Sequence, residues 1–293
     1  MKNTFLSILL FIFCIHSNAQ GIDTLQERNN FIEQSLSYQT GEIALTAGDA
    51  KLKVPNGFRF LDRNQSIYVL TDLWGNPADS SVLGMLVPNG KGVLDFNSWV
   101  FTISYDDMGY VKDDDADDIN YDDLLKEMQQ ECTDENPERV KQGYQTVEII
   151  GWASQPYYDK DKKVLHWAKE IKFGKDSINT LNYNLRVLGR KGVFMLNAIA
   201  TVNELTEVRT NIGKVINSVE FTEGNRYGDF KPDVDHVAAW TIGGLVAGKI
   251  LAKVGFFALI LKFWKLIAIG FVAGGSAIWK FITGKRNKED ENQ

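Results

Sequence analysis

Apolar and polar residues alternate along the middle of the chain with a period of two. Four stretches show this alternation and are rich in β-branched and aromatic residues: 146–152, 164–173, 180–188 and 193–201. Such alternation is typical of strands with one buried face. The glycine-containing connections at 174–177 and 189–192 suit hairpins. The pattern therefore predicts consecutive antiparallel strands.

The flanking regions add shorter strand patterns and several amphipathic helices. Short strands are predicted at 42–45, 51–54, 58–61, 82–87, 99–105 and 219–221. Helical spacing of apolar residues predicts helices at 23–39, 63–73, 121–131 and 205–216. Asp23 and Asp62 suit N-terminal caps, and Asn136-Pro137 starts a separate helical turn. The predicted fold class is α+β, an antiparallel sheet with flanking helices.

A different pattern occupies the C-terminal end. The stretch 237–284 contains no Asp or Glu, and five lysines interrupt its apolar residues. A membrane-spanning segment lacks carboxylates because charged groups are costly inside a bilayer, whereas a soluble domain is under no such constraint. We therefore predict transmembrane helices here, as a hairpin of 238–261 and 266–282. The polar segment 225–236 is the predicted linker, and 285–293 is a polar tail.

Small residues predict close helix packing within this anchor. Gly244 and Gly248 form one GxxxG pair, and Gly270 and Gly274 form another. This spacing suits a helical hairpin or a homo-oligomer. The number of spans stays open, because segment length favours two spans whereas the basic residues of the tail favour one.

The N-terminus has the features of a secretory signal peptide. Lys2 provides a positive start, and a short apolar run leads to the small residues Ser17 and Ala19, which suit cleavage before the next residue. An uncleaved anchor is the alternative. We predict a signal peptide at 1–19 and a domain at 20–224 exported to the periplasmic or extracellular side of the membrane.

Charge is unevenly divided along the chain. The formal net charge is −6, yet the predicted anchor carries only lysines, so the domain ahead of it is strongly acidic. Phosphate binding needs a basic surface, which argues against nucleic acid as a partner. The lipid bilayer is the partner that the sequence predicts most directly.

The densest acidic cluster lies ahead of the third predicted helix. Asp113, Asp115 and Asp117 alternate along 113–118 and present the carboxylate oxygens that Ca²⁺ and Mg²⁺ prefer. The spacing lacks the glycine and the final glutamate of an EF-hand loop. A divalent cation bound here is one hypothesis, and a solvated loop whose acids favour the following helix N-terminus is the other.

A second candidate site is spread over the antiparallel strands. Its members combine aromatic rings with a cation and would line a cleft for a sugar or a peptide: Trp152, Tyr158, Trp167, Tyr183 and Arg186. The alternative is that these aromatic side chains simply cover the core. The sequence contains no nucleophile elbow, phosphate loop, dinucleotide fingerprint, HExxH or paired CxxC.

The chain also contains a series of motifs in a defined order. They are Trp74-Gly75-Asn76-Pro77, Gly84-Met85-Leu86-Val87-Pro88, Gly109-Tyr110-Val111-Lys112-Asp113-Asp114-Asp115-Ala116, Gly151-Trp152, Tyr158-Asp159, Leu165-His166-Trp167-Ala168 and the run 181–190. In this order they resemble the membrane-anchored proteins of domain-of-unknown-function family 2167. The resemblance covers roughly residue 41 to the anchor. It implies bacterial origin and an exported domain held by a C-terminal membrane segment, and it implies no activity.

The sequence favours a membrane-anchored exported protein that acts as a non-enzymatic binding or envelope-associated module. One alternative is a metal-assisted envelope enzyme that uses the acidic loop 113–118. The other is a transport or pore accessory subunit, because Lys249 and Lys253 interrupt an apolar segment. Such lysines face a partner helix or a polar path, unless the segment lies at the membrane interface.

Overall fold

The structure, a computed structural model, describes residues 19–76, 79–95 and 97–249. Predicted features outside these ranges are the signal peptide up to residue 18, the hairpin from residue 250 onward, the tail at 285–293, Lys253, Gly270 and Gly274. Within these ranges, no helix is both long enough and apolar enough to cross a bilayer.

The described chain forms two antiparallel sheets. The smaller sheet has the order β1-β2-β10, with β1 at Glu42–Leu45, β2 at Ala50–Lys53 and β10 at Val219–Phe221. The larger sheet has the order β3-β4-β5-β9-β8-β7-β6. Its strands are β3 (Phe58–Asp62), β4 (Val82–Pro88), β5 (Val100–Asp106), β6 (Val147–Asp159), β7 (Val164–Phe173), β8 (Thr180–Leu188) and β9 (Val193–Thr201). Each predicted strand is present.

Helices flank these sheets and confirm the α+β class. They are α1 (Ala19–Ser35), α2 (Arg63–Tyr68, continued by a π-helical turn at Val69–Leu73), α3 (Tyr121–Lys141), α4 (Leu205–Ile216) and α5 (Ile242–Ala247). As predicted, Asp62 caps α2, and its side chain accepts a hydrogen bond from the amide of Gln65. Asp23 lies inside α1 rather than at its cap.

Two elements are longer than their sequence patterns predict. Strand β6 continues to Asp159. The sequence pattern misses its second half because irregularities in the pairing with β7 shift the side chains from one face to the other and hide the alternation. Helix α3 runs unbroken through Pro137, where we predict a separate turn. Asn136 fixes this part of α3 to β6, because its amide both donates to and accepts from the backbone of Val147 at 2.8 Å.

One face of the larger sheet is closed by hydrophobic packing. The smaller sheet and α4 cover it, and Leu52 and Val208 share a buried cluster with the sheet residues Phe101 and Leu185. None of these four side chains has measurable exposure. Burial of this face explains why the alternation is so regular in β8 and β9.

The opposite face is covered mainly at its two edges. At the β3–β4 edge, Leu61 and Met85 pack with Leu70 of the π-helical turn. At the opposite side of the sheet, formed by β7 and the edge strand β6 and called the β7 edge below, Leu165 and Trp167 pack with residues of α3 and α5. Between these two clusters, β8 and β9 present polar side chains.

Residues 225–249 belong to the folded body, which differs from the predicted linker and from the predicted start of a membrane span at residue 238. Ile242 and Leu245 are 0% and 4% exposed and lie in the cluster at the β7 edge. An apolar run as short as 238–247 is more typical of a buried core helix than of a membrane span. The prediction of a membrane span therefore applies only to the residues after 249.

The end of α5 corrects two further expectations. Gly248 adopts a left-handed conformation with φ of 74° and terminates the helix, so Gly244 and Gly248 do not form a packing pair on one continuous helix. Lys249 then pairs with Glu131 and lies 3.8 Å from Glu127, both on α3. This lysine therefore contacts the acidic surface of the body and not a membrane path.

Candidate functional site

The first aspartate of the acidic loop is held by the sheet. Asp113 accepts hydrogen bonds from the hydroxyl of Tyr158 at 2.7 Å and from the ammonium of Lys163 at 2.8 Å. Burial acts to raise the pKa of Asp113, but the bonds from Lys163 and Tyr158 outweigh it, so this pKa lies below its usual value. Burial and the bond to Asp113 raise the pKa of Tyr158. These two hydrogen bonds fasten the acidic loop to β6, through Tyr158, and to the turn that follows β6, through Lys163.

The other two predicted metal ligands face elsewhere. Asp115 accepts from the amides of Ile242 and Gly243 at 3.2 and 3.3 Å, at the start of α5, and Asp117 pairs with Lys160. The structure does not bring the three aspartates together around one point. No group of three or more His, Cys, Asp or Glu side chains in the described ranges is arranged to hold a metal ion. Asp115 thus contacts the N-terminus of α5, whereas the second hypothesis names the following helix, α3.

A second ion pair fixes the chain that leads to α5. Arg190 donates from Nε and Nη2 to the two carboxylate oxygens of Asp235, at 2.7 and 2.9 Å. The side chains are 12% and 3% exposed, respectively. The bonds from Arg190 lower the pKa of Asp235 to about 2.

This pair predicts an acid-sensitive step in stability. The pKa of Asp235 is about 2 in the folded protein against an ordinary 3.8, so the unfolded chain takes up the proton first as the pH falls. The stabilisation is therefore complete above pH 3.8 and is lost as the pH falls to about 2. Melting temperatures of the full chain across this window should fall less steeply for Asp235→Asn than for the wild type.

The exposed residue Asp161 provides the control for this measurement. Asp161→Asn should reproduce the wild-type slope, because the carboxylate that it removes faces solvent. Equal slopes for the wild type and Asp235→Asn would show that this ion pair does not contribute to the acid sensitivity.

The predicted aromatic set is divided between the two faces of the larger sheet. Trp152, Tyr158 and Trp167 lie in or against the cluster at the β7 edge, and the guanidinium carbon of Arg186 lies 5.0 Å from the centre of the Trp167 ring. Tyr183 lies on the closed face, buried to 3% exposure and stacked with His166. The structure therefore brings four of the five residues to one side and separates Tyr183 from them.

The face of the larger sheet opposite the closed one, called the open face, has a polar centre that forms a groove between the two edge clusters. We call it the asparagine groove and define it by Lys169 on β7, Asn182, Asn184 and Arg186 on β8, and Asn197 on β9. Cross-strand pairing places Lys169 beside Asn182, and Asn184 lies between Trp167 and Asn197. Asn184 is 5% exposed, and the other four members are partly exposed.

Hydrogen bonds order the floor of the asparagine groove. Arg186 donates to the side-chain oxygen of Asn197 at 2.8 Å and to that of Asn184 at 3.4 Å. Asn184 in turn donates to the side-chain oxygen of Asn182 at 2.7 Å. A chain of oriented amides on rigid strands gives a binding surface with fixed donor and acceptor positions.

Cavities lie at both ends of the groove. One of about 680 Å³ is lined by Lys169, by residues of α3 and by the end of α5. Another of about 200 Å³ lies beside α2 and is lined by Thr102 and Ile199. Ile199 pairs with Asn182, so the cross-strand row Lys169–Asn182–Ile199 runs from one cavity to the other.

Two groove residues, Lys169 and Asn197, lie outside the site predicted from the sequence. Asn197 is the one amide in the otherwise mostly apolar strand β9, which is a usable signal for a polar patch on a sheet face. Lys169 shares its face with Trp167, two residues earlier. Neither signal indicates which part of that face stays uncovered.

The fold and the groove together define an α+β sheet domain with one closed face and one partly open polar face. The chain belongs to the family described as protein of unknown function DUF2167, whose family model matches residues 37–275. No curated protein matches the chain.

Solved structures give two distant similarities. The solution structure of cyanobacterial PsbP (CyanoP) from Synechocystis sp. PCC 6803 has 12% sequence identity and a TM-score of 0.35, covering 64% of this chain and 94% of that one. LpqN, involved in cell envelope biogenesis of Mycobacterium tuberculosis, has 12% identity and a TM-score of 0.30, covering 64% and 92%. Similarities at these scores do not establish a common fold.

Proposed function

We propose that this protein is a non-enzymatic binding module of the cell envelope, exported and held at the membrane by the chain that follows residue 249. The asparagine groove is the observation that carries the binding role. It combines fixed amides, a guanidinium stacked on an indole ring and a cavity at each end, and these are the usual components of a small-molecule site.

The sequence supports the location in the envelope. The N-terminal pattern of a positive start, an apolar run and small residues is typical of an exported protein. The stretch 250–284 keeps the apolar, carboxylate-free composition on which the anchor prediction rests. Its remaining length suits a shorter anchor than the hairpin that begins at residue 238.

Two carboxyl groups with lowered pKa values, Asp113 and Asp235, support a structural role over a catalytic one. Asp113 and Tyr158 bond to each other, and Asp235 bonds to Arg190. Perturbed pKa values often mark catalytic residues, but internal ion pairs also produce them. In this body the shifted carboxylates fasten the loop and the C-terminal segment to the sheet.

The test is whether a molecule occupies the groove in the protein isolated from its own membranes. We expect native mass spectrometry of the full chain, extracted from the membrane pellet, to detect a bound small molecule. Asn182→Trp would fill the groove with an indole ring and should abolish that adduct. Ile178→Trp adds the same ring at an exposed position in the β7–β8 connection and should retain it.

Two results would contradict this proposal. An adduct that persists in Asn182→Trp would place the ligand elsewhere on the protein. Recovery of the full chain in the soluble fraction after cell breakage would remove the membrane role.

A further inference from the structure

Two cations lie in the asparagine groove without a carboxylate partner among the described residues. Arg186 donates to the backbone carbonyl of Leu185 and to the amide oxygens of Asn184 and Asn197, all of them neutral acceptors. Lys169 makes no hydrogen bond or ion pair within the part of the chain that the structure describes. A cation withdrawn from water without a counter-charge is unfavourable.

The electrostatic consequences appear in both side chains. Burial lowers the pKa of Arg186 to about 10. Burial, and then the positive charge of Arg186, lower the pKa of Lys169. Each cation therefore makes the other less favourable, and a single anion between them would relieve both penalties.

A third donor lies against the same place. The indole nitrogen of Trp167 is buried and has no acceptor within the described ranges, and its ring packs against the guanidinium of Arg186. Buried donors normally find an acceptor. This corner of the groove thus holds two cations and an unpaired donor among acceptors that are all neutral, which favours a ligand that supplies oxygen atoms with negative charge.

The other end of the groove is apolar. Ile199 lies two inter-strand spacings, or about 10 Å, from Lys169 across the sheet. It lines the smaller cavity together with Ile67, Leu70 and Val82. A ligand that follows the row Lys169–Asn182–Ile199 therefore passes from cationic to apolar surroundings.

The carboxylates near the groove fix the direction of such a ligand. Asp79 lines the apolar cavity and disfavours an anion there. Glu131, Asp134 and Glu135 line the larger cavity, but they are exposed on α3, and Lys249 pairs with Glu131. The floor at Lys169 and Arg186 is therefore the favourable position for negative charge.

We propose that the asparagine groove binds an amphiphilic anion, with a carboxylate or phosphate group at Lys169 and Arg186 and an apolar chain directed over Asn182 towards Ile199. This assignment rests on the binding function proposed above and specifies the chemical class of its ligand. Carboxylate and phosphate present the same oxygen chemistry to the two cations, so the test includes both.

The experiment is a calorimetric titration of the full chain in nanodiscs of zwitterionic lipid. The probes are decanoate, decyl phosphate and the neutral decyl glucoside, which share one alkyl chain. We expect at least one anion to bind more tightly than the glucoside and to weaken with added salt. Lys169→Met should reduce the anion affinity by about tenfold or more, because it removes a charged hydrogen-bond donor.

Two variants keep this result specific. Lys169→Arg retains the cation and should retain binding. Lys172→Met removes the same charge from the same strand but, three residues further on, from the opposite face, and should leave the affinity unchanged. Decanoate and decyl phosphate, compared in each variant, identify which head group the site prefers.

The outcomes separate this inference from the general binding function. Anion affinities equal in the wild type and Lys169→Met would overturn the assignment of the groove cations. Tighter binding of the glucoside than of either anion would overturn the anionic class, while the groove would still be a binding site. A native adduct lost in Asn182→Trp but neutral in composition would lead to the same conclusion.

Discussion

Replacing Ile242 with alanine is expected to lower the free energy of unfolding of the body by about 2–5 kcal/mol. The side chain has 0% exposure and packs in the cluster at the β7 edge, so its removal leaves a cavity as well as lost burial. If residue 242 instead lay inside a bilayer, the substitution would have little effect, because such an isoleucine contributes little to the folding of the body. Urea unfolding of the full chain in micelles, followed by far-ultraviolet circular dichroism, measures this difference.

Val237→Ala is the matched control for this variant. Val237 comes from the same apolar stretch, but its side chain is 38% exposed, so truncation should cost no more than about 0.5 kcal/mol. If Ile242→Ala and Val237→Ala destabilised the protein equally, α5 would not be part of the hydrophobic core. Unfolding that separates into two transitions would show that α5 and the sheet unfold independently.

Trp99→Ala is expected to have the other large effect, a loss of about 3–5 kcal/mol. Trp99 has 0% exposure and lies on the closed face of the larger sheet. Its ring makes edge-on contacts with Phe58 and Phe101, at centroid distances of 5.8 and 5.7 Å. Alanine removes the largest side chain of this layer and both aromatic contacts. The urea midpoint of the full chain, monitored by circular dichroism, measures the loss.

Trp99→Phe separates ring packing from the polar atom of the indole. The indole nitrogen of Trp99 is buried without an acceptor in the described part of the chain, and such a donor costs about 1–3 kcal/mol. Phenylalanine keeps an aromatic ring and removes that donor, so its destabilisation should be clearly smaller than that of alanine. Equal losses in the two variants would show that indole volume, and not aromatic contact, determines stability at this position.

The sequence predicted the strands well because the closed face imposes a strict rule. A strand with one buried face must place an apolar side chain at every second position, and β8 and β9 do so without interruption. The rule failed for β6, where bulges move side chains between faces, and for α3, where Pro137 is accommodated inside the helix. In both places local geometry departs from the simple period.

The candidate sites were only partly predictable. The sequence grouped Trp167, Arg186 and Tyr183 in one predicted site. The structure keeps Trp167 and Arg186 on a common face and places Tyr183 on the other. The sequence did not reveal that Lys169 and Asn197 complete the groove. Which part of a sheet face stays open depends on where helices from distant parts of the chain pack, and α2 and α3 cover only the two edges.

By itself, the sequence determined the α+β class, the order of the strands along the chain and the acidic character of the folded body. Only the tertiary structure decided the role of residues 238–247, since an apolar run can be buried equally well by a protein core or by lipid. The deciding contacts join residues that lie far apart in the chain. The carboxylate of Asp115 accepts from the amides of Ile242 and Gly243, and Lys249 pairs with Glu131. Such contacts leave no local pattern in the sequence because each residue is satisfied by a partner more than a hundred positions away.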